Sequence, residues 1–148
     1  LLDALDIHND ELVLDIGTGL GYSSAIISLI AEVVIAVEDD SSLASEAEEI
    51  LYEIGADNVV VQVSKLQDGA PEHGPYDVII LQGGIEEIPV SIFKQLKNGG
   101  RIGAIFVEKG LGTAKIGFKL NDKINWRYSF NAAAPVLPGF FKQKDFAL

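Results

Sequence analysis

Five short apolar runs recur along the 148-residue chain: Leu12–Ile16, Val33–Val37, Val59–Val63, Val78–Leu81 and Ile102–Val107. Each is a near-continuous stretch of Val, Ile and Leu rather than an alternation, the pattern of parallel strands covered on both faces. The segments between them read as helices. In SSLASEAEEILYEIG, residues 41–55, Leu43, Ala47, Ile50, Leu51 and Ile54 share one face. Ser41 or Ser42 can cap its start and Gly55 can end it. A second helix is expected from near Tyr22 through Ile26, Ile27 and Ile30. A third is expected from Pro89, suited to a first helical position, to Asn98-Gly99-Gly100.

Alternation of strands and helices predicts an α/β fold, a doubly wound Rossmann-like sheet. The last third departs from it. Ala114–Leu120 and Ile124–Asn131 flank Asn121-Asp122-Lys123 and read as an antiparallel hairpin. The sheet is therefore expected to be mostly parallel with a C-terminal antiparallel hairpin. No repeat, linker or low-complexity segment interrupts residues 1–148, so one domain is expected.

The densest local signal is LVLDIGTGLGYSSAI, residues 12–26, in which Gly17, Gly19 and Gly21 follow the first strand. Each glycine costs conformational entropy that a tight turn or a close backbone approach must offset. In an open parallel sheet the turn after the first strand lines the ligand crevice, and the helix start behind it favours a negative group. The dinucleotide frame G-x-G-x-x-G places Tyr22 where its third glycine belongs, and the phosphate loop G-x-x-x-x-G-K-[ST] is absent. Neither standard phosphate reading fits.

Charge narrows the choice of partner. The chain carries 22 acidic against 11 basic side chains, a net charge of -11, which argues against nucleic acid as a partner. No segment has the apolar length of a membrane-spanning helix, so no membrane partner is expected. With no cysteine, a thiolate metal site and a disulfide framework are excluded, and no metal is expected. LLDALDI lacks the basic start of a signal peptide, which points to a cytoplasmic protein. The absence of any methionine points to a piece of a longer chain. No Ser/His/Asp or Cys/His set is present. His8 and His73 fall in expected loops as exposed side chains, and Glu86-Glu87 reads as a charged helix start rather than a catalytic pair.

The spacing Asp15-Ile16-Gly17-Thr18-Gly19-Leu20-Gly21 resembles the first motif of S-adenosylmethionine-dependent methyltransferases, an acidic residue before G-x-G-x-G. The resemblance implies that Gly17, Thr18, Gly19, Gly21 and Tyr22 lie along the methionine part of S-adenosylmethionine, with Asp15 near its ammonium. It also implies an acidic residue after the second strand to accept the ribose hydroxyls. Glu38 is the candidate and Asp39 the alternative.

The likeness extends further. VLDIGTGLGYSSA followed by YDVIILQGGIEEIPVSIFKQLKNGGRI, and then AAAPVLPGF, resembles the protein-L-isoaspartate O-methyltransferase family from about Leu2 to the end of the chain. This implies a methyltransferase sheet, S-adenosylmethionine as cofactor, and isoaspartyl-containing peptides or proteins as substrate in protein repair. The family's Ser/Thr-containing catalytic segment belongs before Leu1, so no catalytic residue is carried over and the front of the family domain is expected upstream. Where the family has Gly-Asp-Gly after the third strand, this chain has Ser64-Lys65-Leu66. Lys65 cannot accept from the adenine amino group, so a backbone atom near Leu66 or the side chain of Gln67 or Asp68 would take that contact. Two other outcomes stay open: a methyltransferase acting on a different substrate, and an S-adenosylmethionine-binding module without chemistry. A nicotinamide dehydrogenase is disfavoured by Tyr22.

Overall fold

The computed structural model describes residues 1–142. Along the chain these form α1 (Leu2–Leu5), β1 (Leu12–Ile16), α2 (Tyr22–Ser28), β2 (Val33–Glu38), α3 (Ser41–Glu53), β3 (Val59–Val63), β4 (Tyr76–Ile85), α4 (Val90–Gln95), β5 (Leu96–Glu108), β6 (Leu111–Leu120) and β7 (Lys123–Ala132). Two single 3-10 turns, Leu66–Asp68 and Pro71–His73, lie between β3 and β4. The strands make one sheet in the order β3-β2-β1-β4-β5-β6-β7. β1 to β5 are parallel, and β6 and β7 are antiparallel additions. Strand order turns back between β1 and β4, which fixes the crevice at their carboxyl ends.

Alternation along the central strands divides the core in two. Leu14, Ile16, Ile79, Leu81, Ile92 and Leu96 pack together on one face with Tyr76 and Phe140. Val13, Val34, Val78 and Ile80 pack on the other with Leu5, Ile7 and Ile27. Continuous apolar runs in β1, β2 and β4 follow from this double coverage. β3 is the exception to the expectation. It is the sheet edge, and Val60 and Val63 are exposed.

Several boundaries differ from those expected, each for a local reason. α3 is capped by Asp40, whose carboxylate accepts from the amides of Ser42 and Leu43 at 2.9 and 3.2 Å; neither serine caps it. Asp40→Ala is expected to cost about 1 kcal/mol of unfolding free energy in urea titration, the usual cost of a lost cap. Gly55, at φ +75°, ends the helix as expected, with the Ala56 amide returning to the Leu51 carbonyl. Ala44, Ala47 and Leu51 form its buried face, whereas Ile54 is exposed. α2 stops at Ser28, leaving Ile26 and Ile30 exposed around the buried Ile27. α4 is shorter than expected. Pro89 stands just outside as N-cap, and the chain enters β5 at Leu96, so Asn98-Gly99-Gly100 belongs to an irregular strand start rather than a helix end.

One ionic cluster ties the first helix to the sheet. Arg101 on β5 donates from Nη1 and Nη2 to the Glu11 carboxylate at 2.8 and 2.7 Å, from Nε to the Leu5 carbonyl and from Nη2 to the Asp6 carbonyl. Both side chains are mostly buried. The guanidinium fork holds the Glu11 carboxyl below the usual range, against the opposing effect of burial.

Candidate cofactor site

The glycine loop turns at the carboxyl end of β1, and its three glycines meet three different demands. All have positive φ: +83° at Gly17, +58° at Gly19 and +89° at Gly21. A Cβ on Gly17 would make only ordinary contacts, 3.7 Å from Gln82 and 4.0 Å from Leu137, so the backbone conformation rather than space calls for glycine there. A Cβ on Gly21 would meet Ala47 and Leu51 at 3.2 and 3.3 Å, so the last glycine seats α3. Only Gly19 faces open space. The amides of Gly17 and Thr18 both donate to the Val37 carbonyl, which hangs the loop from β2.

Asp15 and Glu38 brace the loop from either side. Asp15 is fully buried. Its Oδ2 accepts from Ser23 and Ser24 hydroxyls at 2.7 and 2.6 Å, and its Oδ1 accepts from the Gln82 amide at 2.9 Å. Ser24 spends its only proton on Asp15, so the Thr18 hydroxyl, 2.9 Å away, donates to Ser24. Burial pushes the Asp15 carboxyl up from its usual range, and the donors from Ser24, Ser23 and Gln82 oppose that push. No Lys, Arg or His pairs with it among the described residues. Glu38 closes the other side: Oε1 accepts from the Gly19 amide and Oε2 from the Asp40 amide, both at 2.9 Å.

The structure thus distributes the expected site residues unevenly. Asp15, Gly17, Gly19 and Glu38 converge. Thr18 turns its hydroxyl inward and is 6% exposed, so it meets the crevice only through its backbone. Gly21 serves helix packing. Tyr22 is exposed at the start of α2, and Asp39 is exposed beside Glu38. Leu66 buries its side chain in the core under the sheet, which leaves only its backbone for a ligand. Asp68 instead lines a cavity of about 710 Å³ with Pro71, Pro75, Ser91 and Lys94, toward the amino end of β4 and away from the loop. His8 and His73 are exposed, and Glu86 and Glu87 both donate backbone amides to the Phe140 carbonyl rather than opening the helix.

Ser23, Ser24 and Gln82 were not among the expected residues. Gln82 reaches Asp15 where β4 is irregular: the five residues from Ile80 to Gly84 run beside three of β5, from Gly103 to Ile105. The serines sit in the first turn of α2, a position that the sequence YSSAI displays without revealing its partner. Ser24→Ala leaves the buried Thr18 hydroxyl without an acceptor and removes one donor from Asp15. Urea unfolding is expected to show a loss of about 1–3 kcal/mol.

A third wall comes from the C-terminal tail. The Gly84 amide donates to the Pro135 carbonyl and the Leu137 amide to the Gly84 carbonyl, both at 2.8 Å, while the Phe140 ring is fully buried. Leu137 then lies so close to Gly83 that a Cβ there would come within 2.5 Å of it. Gly83 and Gly84 carry no side chain, and this lets the tail cross them.

The comparisons with known proteins bear on the same residues. The family model described as "Protein-L-isoaspartate(D-aspartate) O-methyltransferase (PCMT)" matches residues 1–127. This chain belongs to that family. A protein-L-isoaspartate O-methyltransferase of Brucella anthropi is 45% identical over 102 residues, 69% of this chain and 47% of that protein. One from Syntrophus aciditrophicus is 39% identical over the same shares of each chain. The chain thus spans about half the length of the curated relatives it matches. A solved protein-L-isoaspartate O-methyltransferase superposes with a TM-score of 0.87 at 27% identity, covering 93% of this chain and 45% of that one. The family match accounts for the doubly wound sheet with its antiparallel end.

Proposed function

We propose that this chain forms the cofactor-binding core of an S-adenosylmethionine-dependent protein-L-isoaspartate O-methyltransferase. The observation that carries the reading is the open turn at Gly19, held by the Glu38 carboxylate, with the buried Asp15 carboxylate on the strand that leads into it. The donor set fits the cofactor. A buried carboxylate without an ion-pair partner suits a cationic ammonium, and Glu38 keeps free lone pairs for the ribose diol beyond the two amides it accepts. Gly17, Gly19 and the loop backbone would flank the methionine part, and the backbone near Leu66 or the Gln67 side chain would meet the adenine.

When bound, S-adenosylmethionine supplies an electrophilic methyl group on a sulfonium. The acceptor is the free carboxylate of an L-isoaspartyl residue, already a nucleophile, so no general base is required of this chain. Its residues align and shield instead. Asp15 and Glu38 hold the loop to β4 and β2, and Leu137 covers Gly83 with an apolar wall that keeps water from that side. The following backbone amide nitrogen can then attack the methyl ester, expelling methanol and closing a succinimide, which water reopens to aspartate or to isoaspartate for another round. A reading as a binding module without transfer chemistry draws on Lys65, exposed where the family places a carboxylate.

Calorimetry with S-adenosylhomocysteine and transfer of labelled methyl to an isoaspartyl peptide, both on the full-length protein, test both readings. Binding without transfer favours the module, and no binding at millimolar ligand overturns both. Glu38→Ala should weaken S-adenosylhomocysteine by about 1–3 kcal/mol in the same calorimetry, since a charged acceptor is lost. Unchanged affinity moves the ribose contact to Asp39.

A further inference from the structure

A second cavity, of about 300 Å³, opens at the carboxyl ends of β4 and β5 beside the crossing tail. Glu86, Phe106, Glu108, Lys109, Lys115 and Lys142 line it. Three of the chain's 11 basic side chains meet here, against two carboxylates, in a molecule whose net charge is -11. Lys109 and Lys115 make no ion pair among the described residues. The Lys115 ammonium stands 5.1 Å from the centroid of the Phe106 ring, and Phe106 meets Trp126 edge to face at 4.7 Å. The floor is therefore aromatic and the rim cationic. One of the rim carboxylates is engaged: Glu86 Oε1 accepts from the Lys142 amide.

Position gives this cavity its meaning. Strand register aligns Asp15 with Ile80 on β4 and Ile80 with Gly103 on β5, so Phe106 lies two strands across from β1 and beyond the level of Asp15. Two strand spacings are about 10 Å, the reach of about three extended residues. Such a cavity is spaced to take a side chain of the peptide whose isoaspartyl residue lies at the glycine loop.

We infer that this cavity is a docking subsite for an acidic side chain, glutamate or aspartate, within about three residues of the methyl-accepting isoaspartate. The inference takes its geometry from the methyl-transfer reading, but binding at the cavity is measurable without any transfer. The chain's only tryptophan, Trp126, does not line the cavity but packs edge-on against the Phe106 ring that does, and so reports on its floor.

Two measurements decide it. In the first, Trp126 emission is followed while the chain is titrated with acetyl-Glu-Glu-Glu-amide, acetyl-Gln-Gln-Gln-amide or free glutarate. The glutamyl peptide is expected to bind at least about tenfold tighter than the other two, a preference that about 0.5 M salt and Lys115→Gln each remove. Equal response to glutamyl and glutaminyl peptides overturns the subsite. Glutarate as tight as the peptide overturns it too, in favour of a small-anion site. In the second, on the full-length protein, kcat/KM is compared for isoaspartyl peptides carrying Glu or Gln within three positions of the isoaspartate. A several-fold advantage for Glu is expected, lost in Lys109→Gln and Lys115→Gln, whose affinity for S-adenosylhomocysteine stays that of the parent. Identical kcat/KM for the two peptide sets overturns the inference. Lys115-dependent peptide binding without any methyl transfer upholds the subsite while the reading of the reaction fails.

Discussion

In the Gly19→Val chain, affinity for S-adenosylhomocysteine is expected to fall at least about a hundredfold, roughly 2.7 kcal/mol, while circular dichroism still shows the parent fold. Nothing lies within 4 Å of a Cβ built on Gly19, so an added side chain meets no protein atom and projects where the ligand must approach. The positive φ adds backbone strain of about 1–2 kcal/mol, which the fold can bear. Gly19→Ala carries the same strain with less bulk and should lose less affinity, which separates the two causes. Gly21→Ala behaves differently. Its methyl runs into Ala47 and Leu51, so the loss should register first as a lower melting temperature. If Gly19→Val binds S-adenosylhomocysteine as the parent does, the ligand lies elsewhere.

Arg101→Ala is expected to destabilise the fold by about 3 kcal/mol, at the low end for breaking a buried ion pair because both partners keep some solvent contact. For a chain of this size that corresponds to a melting temperature lower by about 6–12 °C. The substitution leaves Glu11 charged and mostly buried, and leaves the Leu5 and Asp6 carbonyls without their donors. pH supplies a second signature. The Arg101 guanidinium holds the folded-state Glu11 pKa below the usual glutamate range, so the carboxylate contributes stability that is present above the unfolded pKa and is lost as pH falls through the folded one. The gap between the parent and Arg101→Ala melting curves should therefore narrow as pH falls below the usual glutamate range, to what the two backbone carbonyls contribute. A gap undiminished in strong acid would show that the guanidinium acts through the backbone carbonyls alone.

The apolar runs made the parallel sheet legible because their residues face two cores at once, as Val13 and Leu14 do on neighbouring positions of β1. What periodicity cannot show is where coverage stops. Ile54 and Ile26 keep helical spacing with buried neighbours, yet no element lies over them. The same limit applied to Val60 on the sheet edge. The end of α4 was hidden because Asn98-Gly99-Gly100 suits a helix terminus and an irregular strand equally well, and Tyr76 pairing with Leu96 decided between them. Within the candidate site, the placement of Asp15, Gly19 and Glu38 around one loop was legible from residue type and spacing. The Gln82 contact with Asp15 was not, because it joins positions 67 apart in sequence through a strand irregularity that leaves no local mark. The tail across Gly83 was hidden for the same reason.

That tail has a consequence for the order in which the molecule assembles. β5, β6 and β7 are joined by two-residue turns and can pair as soon as they are made, whereas β1 waits for β4, whose first residue lies 60 positions beyond the end of β1. Contacts of long sequence separation form late because loop closure opposes them. Gln82 can reach Asp15 only after β4 docks, and Leu137 can cover Gly83 only after the final strand has turned back. On a growing chain, then, the glycine loop is synthesised well before β4 and the crossing tail, and the crevice it faces is walled only once both are in place.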